Sequence, residues 1–157
     1  MKATPIAWLF YFRHMKIALV INPKAGTICS KDALIQAFGK KASELLPLDE
    51  FRIFPTQHAG HATILAKQCA ENGFDICIAA GGDGTMNEVA CGLTGSQTAL
   101  GIVPLGSGNG LARHLKISLD PITAFTQMLQ GNSQQMDFGI VNGRKFFLAS
   151  GIGFEGV

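Results

Sequence analysis

The sequence predicts an α/β fold in which a parallel sheet lies between two layers of helices. Three apolar runs, at residues 17–21, 74–80 and 99–104, alternate along the chain with amphipathic helical patterns. Strands that are apolar along most of their length are typical of a parallel sheet covered on both faces. With 47% apolar and 15% charged residues among 157, the chain can bury the core of one compact domain. We therefore expect a three-layer αβα domain.

The first strand, residues 17–21, leads into a turn at residues 22–26. Ser30 can cap the first helix, which continues through Leu46 and is ended by Pro47. Further strands are predicted at residues 50–55, 74–80 and 99–104. Helices are predicted at residues 60–72, 85–93 and 121–129, the last with Asp120 as its cap.

After Gly131 the sequence predicts antiparallel strands in place of the alternating strands and helices. Residues 135–141 and 144–150 flank Asn142-Gly143, the dipeptide that suits a tight type I′ turn. We expect an α/β domain at residues 15–131, the ligand-binding unit, and, at residues 132–157, a β-hairpin that is either an edge addition or the opening of a second domain. Because no closing helix follows residue 151, we expect that second unit to be truncated.

The N-terminal segment, residues 1–14, places Lys2 before a short apolar run at residues 6–12. This run is too short to span a bilayer and lacks the small residues of a cleavage site. Since Met15 opens the first strand, our hypothesis is that residues 1–14 are a non-native leader.

Charge and cysteine usage exclude some classes of protein. The net charge of +2 is spread without blocks, so nucleic acid is not an expected partner. The cysteines form no C-x-x-C pair and fall mostly within apolar or helical patterns, which is typical of structural thiols in a cytosolic protein.

Glycine is concentrated where chemistry is expected. Of 19 glycines, nine lie between Gly81 and Gly110. Three loops, at residues 22–26, 81–88 and 104–110, follow predicted strands and therefore share one edge of the sheet. Glycine lets a backbone approach phosphate, and a helix N-terminus attracts it. Three such loops at one edge indicate a polyphosphate ligand.

Residues 22–26, 81–88 and 104–113, at these spacings, resemble the diacylglycerol kinase catalytic domain family, which includes bacterial lipid kinases, sphingosine kinases and ceramide kinases. Thr56 followed by Gly60-His61-Ala62 matches the same family. The resemblance covers about residues 16–157. It implies a Rossmann-like αβα domain of the NAD kinase/diacylglycerol kinase type, followed by a β-rich second domain.

The resemblance implies ATP-dependent phosphoryl transfer to a lipid hydroxyl, with Mg²⁺ as cofactor, in the cytoplasm or peripherally at the inner membrane surface. Asp83 is the implied catalytic residue, either orienting Mg²⁺ or helping to activate the acceptor hydroxyl. No metal site built by the protein alone is predicted. The residues implied to bind ATP are Asn22, Pro23, Lys24, Ala25, Gly26, Thr56, Gly81, Gly82, Asp83, Gly84, Thr85, Met86, Asn87, Gly106 and Ser107.

The sequence also departs from the family. The resemblance implies a longer second domain with the lipid pocket, a further catalytic acid and magnesium ligands, and Glu155 stands where relatives have Asp. We therefore expect this chain alone to be weakly active or inactive. Two alternatives remain open: an NAD kinase-like phosphotransferase, and a non-catalytic nucleotide-binding fragment that forms a homodimer.

Other phosphotransferase and hydrolase designs are disfavoured, because the sequence lacks a P-loop, a protein-kinase catalytic loop and a nucleophile elbow. His58 and His61 have a metal-like spacing without a third ligand nearby, so a surface or capping role is expected for them.

Overall fold

The computed structural model describes residues 14–26, 30–46 and 48–147. Strands and helices alternate through most of this range, as the sequence predicts. In chain order they are β1 (Met15–Ile21), α1 (Lys31–Leu45), β2 (Leu48–Pro55), α2 (His61–Glu71), β3 (Ile76–Gly81), α3 (Asp83–Leu93), β4 (Ala99–Pro104), α4 (Gly110–His114), α5 (Pro121–Gln130), β5 (Gly139–Val141) and β6 (Arg144–Phe146).

The four long strands form one parallel sheet in the order β2-β1-β3-β4. The two central strands, β1 and β3, are buried over most of their length. This burial explains why both are almost entirely apolar, since a parallel sheet covered by helices offers neither face to water. The parallel sheet predicted from the sequence is confirmed.

Side chains of β1 alternate between two buried clusters, because successive residues of a strand point to opposite faces. Ala18 and Val20 pack in a cluster with apolar side chains of α2, α3 and α4. Ile17, Leu19 and Ile21 pack in a second cluster with α1 and α5. The sheet therefore lies between two helical layers, which confirms the three-layer αβα fold.

Two helices carry the local caps that the sequence predicts. The Ser30 hydroxyl accepts from the Ala33 N–H of α1 at 3.3 Å, and the Asp120 carboxylate accepts from the Thr123 N–H of α5 at 2.8 Å. Each cap lies three residues before its donor, which is the usual N-cap geometry. The helix predicted at residues 85–93 begins earlier, at Asp83.

The antiparallel hairpin is shorter than predicted. Among the described residues of this region, β5 and β6 pair as strands around Asn142 and Gly143, whose φ angles of 48° and 75° give the predicted left-handed turn. The hairpin contacts α3, where the Asn87 side chain accepts from the Phe147 N–H at 3.2 Å. The rest of the second predicted strand, the segment beyond it and residues 1–13 of the leader hypothesis lie outside the described residues.

Two of the cysteines are buried thiols, as expected. Cys69 and Cys77 lie in the cluster beneath α2 and α3. A hydrogen bond with Cys69, together with burial, raises the pKa of the Cys77 thiol far above its ordinary value. The Cys77 thiol therefore stays neutral. Because the thiolate is the reactive form of cysteine, Cys77 acts as an unreactive core residue.

We predict that Asp120→Ala lowers the free energy of unfolding by about 1 kcal/mol at neutral pH, because α5 loses its N-cap. Hydrogen bonds from the Thr123 hydroxyl and N–H lower the pKa of the Asp120 carboxyl. Its contribution is therefore present above the unfolded-state pKa and is lost as pH falls through the folded-state pKa. Urea titrations at neutral and acid pH measure this difference.

Asp120→Asn is the matched control, because the amide oxygen still accepts from Thr123 but does not titrate. The difference in unfolding free energy between wild type and Asp120→Ala should narrow in acid. The difference between Asp120→Asn and Asp120→Ala should depend little on pH. An equal gap at both pH values would contradict the charged cap.

Candidate functional site

The loops that follow β1, β2 and β4 are held at one edge of the sheet by backbone hydrogen bonds that continue the strand pairing. The N–H of Asn22 donates to the Ala80 carbonyl oxygen at 2.9 Å, and the N–H of Thr56 donates to the Ile21 carbonyl oxygen at 2.9 Å. The N–H of Leu105 donates to Gly81 at 2.8 Å. Ligands of open parallel sheets bind beyond the carboxyl ends of the strands, so this edge is the expected position of a site.

A cavity of about 560 Å³ opens at this edge. It is formed by all three glycine-bearing loops and by the segment that follows β2. Most of the predicted nucleotide-binding residues line it, namely Asn22, Lys24, Ala25, Gly26, Thr56, Gly82, Asp83, Gly84, Thr85, Gly106 and Ser107. The sequence analysis did not single out six further lining residues, Gln57, His58, Ala59, Ala62, Glu88 and Gly108, as ligand contacts.

The remaining four predicted residues, Pro23, Gly81, Met86 and Asn87, do not line the cavity. Met86 is fully buried in the core, since a helix that begins at Asp83 turns its fourth residue towards the sheet. The Asn87 side-chain oxygen accepts a hydrogen bond from the Phe147 N–H at the end of the hairpin. Gly81 is covered by the Thr85 side chain, and Pro23 lies exposed in the turn, where its carbonyl accepts from Lys31.

Close contact between loops accounts for some of the glycines. A Cβ at Gly106 would lie 2.6 Å from the Gly82 Cα, and a Cβ at Gly26 would lie 2.0 Å from the Leu105 carbonyl oxygen. Gly26 also has a φ of 66°. Gly84 differs, because a Cβ there would meet nothing within 4 Å. The space beside Gly84 is therefore open for a ligand.

Asp83 joins two of the loops. Its Oδ2 accepts from the Gly110 N–H at 3.0 Å and its Oδ1 from the Leu111 N–H at 3.1 Å. Both donors belong to the first turn of α4, whose N–H groups have no partner within the helix. Asp83 therefore caps α4, a structural role that the sequence analysis did not assign to it.

Asn109 closes the loop between β4 and α4. Its side-chain oxygen accepts from the Gly106 N–H at 3.0 Å, and its amide donates to the Gly106 carbonyl at 2.6 Å. The residue is buried and has a φ of 51°, which asparagine tolerates better than most residues. Sequence reasoning quoted Asn109 within the motif without assigning it this role.

Glu88 repeats the arrangement at the opposite wall. Its Oε1 accepts from the Gly60 N–H at 2.8 Å and its Oε2 from the Ala62 N–H at 3.2 Å, both at the N-terminus of α2. The Thr63 hydroxyl adds a bond to the Glu88 carbonyl at 3.0 Å. Sequence reasoning missed this contact, because its partners lie in another element.

The segment between β2 and α2 has further internal bonds. His61 Nδ1 accepts from the Gln57 N–H at 3.1 Å, and His58 Nδ1 lies 2.9 Å from the Ala59 carbonyl oxygen. The two rings stack with centroids 5.0 Å apart. Among the described residues, no group of three or more His, Cys, Asp or Glu side chains could hold a metal ion.

The start of α3 is left open to a ligand. Its N-cap is Gly82, which supplies no side-chain hydrogen bond to the helix. The neighbouring starts of α2 and α4 already hold the carboxylates of Glu88 and Asp83. A helix N-terminus carries partial positive charge and unpaired N–H groups, so α3 presents an anion-binding position to the cavity. Lys24, exposed on the facing loop, adds a cation.

The fold and the cavity together define a three-layer α/β protein with a polar, glycine-rich cavity at the carboxyl edge of its parallel sheet. The model of the diacylglycerol kinase catalytic domain matches residues 16–141, and the chain belongs to that family. Diacylglycerol kinases of Staphylococcus aureus strains JH9 and NCTC 8325 are each 35% identical over 140 residues, which cover 85% of this chain and 42% of the relative. The chain thus spans about two-fifths of the length of these relatives.

The fold of this chain is also similar to that of a solved diacylglycerol kinase structure. The crystal structure of a diacylglycerol kinase from Bacillus anthracis str. Sterne matches with a TM-score of 0.74 and 27% identity. The match covers 83% of this chain and 45% of that one. No helix within the described residues is long and apolar enough to cross a membrane.

We predict that Asp83→Ala lowers the free energy of unfolding by about 1–3 kcal/mol, because two N–H groups of α4 lose their acceptor. Asp83→Asn should cost less, since its amide oxygen can still accept one of them. Chemical denaturation with circular dichroism measures both.

Asp137→Ala is the matched control, because Asp137 is exposed and does not line the cavity. It should change stability by no more than about 0.5 kcal/mol. If Asp83→Ala proved as stable as Asp137→Ala, the capping role of Asp83 would be refuted.

Proposed function

We propose that this chain is the ATP-binding lobe of a lipid kinase that transfers the γ-phosphoryl group of ATP to a lipid hydroxyl, of diacylglycerol or sphingoid type. Membership of the diacylglycerol kinase catalytic domain family supports the reaction class. The names of the S. aureus relatives favour diacylglycerol as the acceptor.

The observation that carries the proposal is the uncapped start of α3 at the cavity. The phosphates of ATP would lie against the N–H groups of Gly84 and Thr85, where the helix dipole favours negative charge. The open space beside Gly84 allows that approach. Lys24 on one side and Ser107 on the other complete a polar surround.

Phosphoryl transfer requires mainly positioning and charge neutralisation. The three loops would supply both, because their backbones are fixed to the sheet and to one another. Rigid N–H donors stabilise developing negative charge without reorganising during the reaction. Asn22 and Thr56, at the ends of β1 and β2, would orient the rest of the nucleotide.

Mg²⁺ fits this cavity as a companion of the phosphates. Magnesium is usually held by one or two carboxylates together with substrate phosphates, and Asp83 is a carboxylate beside the proposed phosphate position. Each Asp83 oxygen accepts one N–H, which fixes its orientation and leaves it a further lone pair. Those lone pairs would face either Mg²⁺, which neutralises phosphate charge, or the acceptor hydroxyl.

The acceptor site would lie outside the α/β domain. Residues 15–131 would bind ATP, while residues 132–157 would open the unit that recognises the lipid at a membrane surface. The longer chains of the relatives support this division. The homodimer, the leader and the cytoplasmic location stay predictions.

We predict that Gly84→Ala stabilises the free chain by up to about 1 kcal/mol, because alanine is the better helix former and its Cβ meets nothing. The same methyl group would obstruct phosphate, so the affinity for Mg·ATP should fall about tenfold. Isothermal titration calorimetry and thermal unfolding measure the two effects.

Gly39→Ala is the control, because Gly39 lies within α1 and a Cβ there makes only ordinary contact with Phe51. It should also stabilise the chain but leave Mg·ATP binding unchanged. Wild-type affinity in Gly84→Ala would show that phosphate does not approach this helix.

The acceptor class is tested with γ-³²P-labelled ATP, offered with diacylglycerol vesicles, a sphingoid base or NAD. We expect slow transfer by this chain, with the label entering lipid rather than NAD. Transfer that favoured NAD would overturn the lipid kinase proposal and support the NAD kinase-like alternative.

A further inference from the structure

Glu88 lies at the cavity but has no role in the phosphoryl transfer proposed above. It lines the cavity, half-buried, and its two carboxylate oxygens bind the Gly60 and Ala62 N–H groups. These groups form the start of α2, an 11-residue helix whose N-cap, Gly60, has no side chain with which to cap it. The negative charge that this helix start attracts is therefore supplied by the protein itself.

That contact places a fixed carboxylate at one of the two long helix starts on the cavity. A phosphate approaching α2 would meet both occupied donors and the like charge of Glu88. A phosphate approaching α3 would meet the uncapped N–H groups beyond Gly82 and the open space at Gly84, beside an Asp83 carboxylate whose oxygens already accept from α4. The two helix starts therefore differ in their free donors, because Glu88 occupies N–H groups of α2 and no side chain caps α3.

The same contact fixes the wall that carries Thr56 and His58. The segment from Thr56 to Ala62 is tied to β1 at one end, through the Thr56 N–H, and to Glu88 at the other. Loss of the carboxylate would release the Gly60 and Ala62 N–H groups, although the Thr63 hydroxyl would still bind the Glu88 carbonyl. The wall before α2 would then be held to α3 by fewer contacts.

We propose that Glu88 is a positioning residue that directs the polyphosphate of the nucleotide to the start of α3 by occupying the start of α2. This inference rests on the proposed ATP site. It adds a determinant of where the phosphates lie, and it requires a carboxylate, because glutamine offers one acceptor oxygen for two donors.

The test follows backbone amide shifts by NMR while magnesium tripolyphosphate is added to wild type, Glu88→Gln and Glu71→Gln. In wild type the amides of Gly84 and Thr85 should shift and those of Gly60 and Ala62 should not. In Glu88→Gln the Gly60 and Ala62 amides should shift too, because their helix start has lost its anion. Glu71→Gln, which removes an exposed charge from the far end of α2, should behave as wild type.

Mg·ATP affinity gives a second readout. It should fall about fivefold in Glu88→Gln, the factor that a capping interaction represents, and remain unchanged in Glu71→Gln. Thermal unfolding identifies any loss of fold, and Glu88→Gln keeps the size of the side chain. A purely structural Glu88 would lower stability without moving phosphate onto α2.

The outcomes separate the two proposals. If wild type showed no shifts with tripolyphosphate or ATP, the ATP site itself would be wrong, and this inference with it. If wild type shifted at Gly84 and Thr85 but Glu88→Gln gained no shifts at Gly60 and Ala62, the ATP site would stand and the role of Glu88 would be refuted. Shifts at Gly60 and Ala62 in wild type would refute it equally.

Discussion

Two carboxylates on α3 hold both walls of the cavity, and the site depends on these contacts more than on any other. Asp83 binds two N–H groups at the start of α4, and Glu88 binds two at the start of α2. The Ala62, Gly110 and Leu111 donors are part-buried, and buried backbone donors without a partner are costly, so each carboxylate fixes a helix relative to α3. A shift of α3 would move both walls at once.

The two helical layers are capped by different means. In the layer away from the cavity, α1 and α5 begin at Ser30 and Asp120, which cap their own helices. In the cavity layer, the N-caps of α2 and α4 are Gly60 and Asn109, which have positive φ angles and make no side-chain cap bond. Those helices take their caps from a third helix. Tertiary caps couple the loops to one another, which a site assembled from several loops requires.

This difference explains how much of the molecule could be predicted from the sequence. Local caps lie three residues from their donors, so Ser30 and Asp120 could be recognised by spacing alone. The apolar strands and the Asn142-Gly143 turn are equally local signals, and they predicted the three layers and the hairpin. The partners of Asp83 and Glu88 lie 26 to 28 residues away along the chain, so no local pattern reports them. The Met86 side chain lies in the core rather than at the cavity, because the helix begins two residues earlier than predicted.

The central claim is that the start of α3 is free to bind phosphate, because the Asp83 and Glu88 carboxylates of α3 cap the neighbouring helices α4 and α2 instead. The most direct measurement is a crystal structure of this chain with magnesium and a non-hydrolysable ATP analogue. The account predicts phosphate oxygens within hydrogen-bond distance of the Gly84 and Thr85 N–H groups, with the Asp83 and Glu88 contacts intact. Phosphates bound at the start of α2, or an Asp83 carboxylate detached from Gly110 and Leu111, would contradict it.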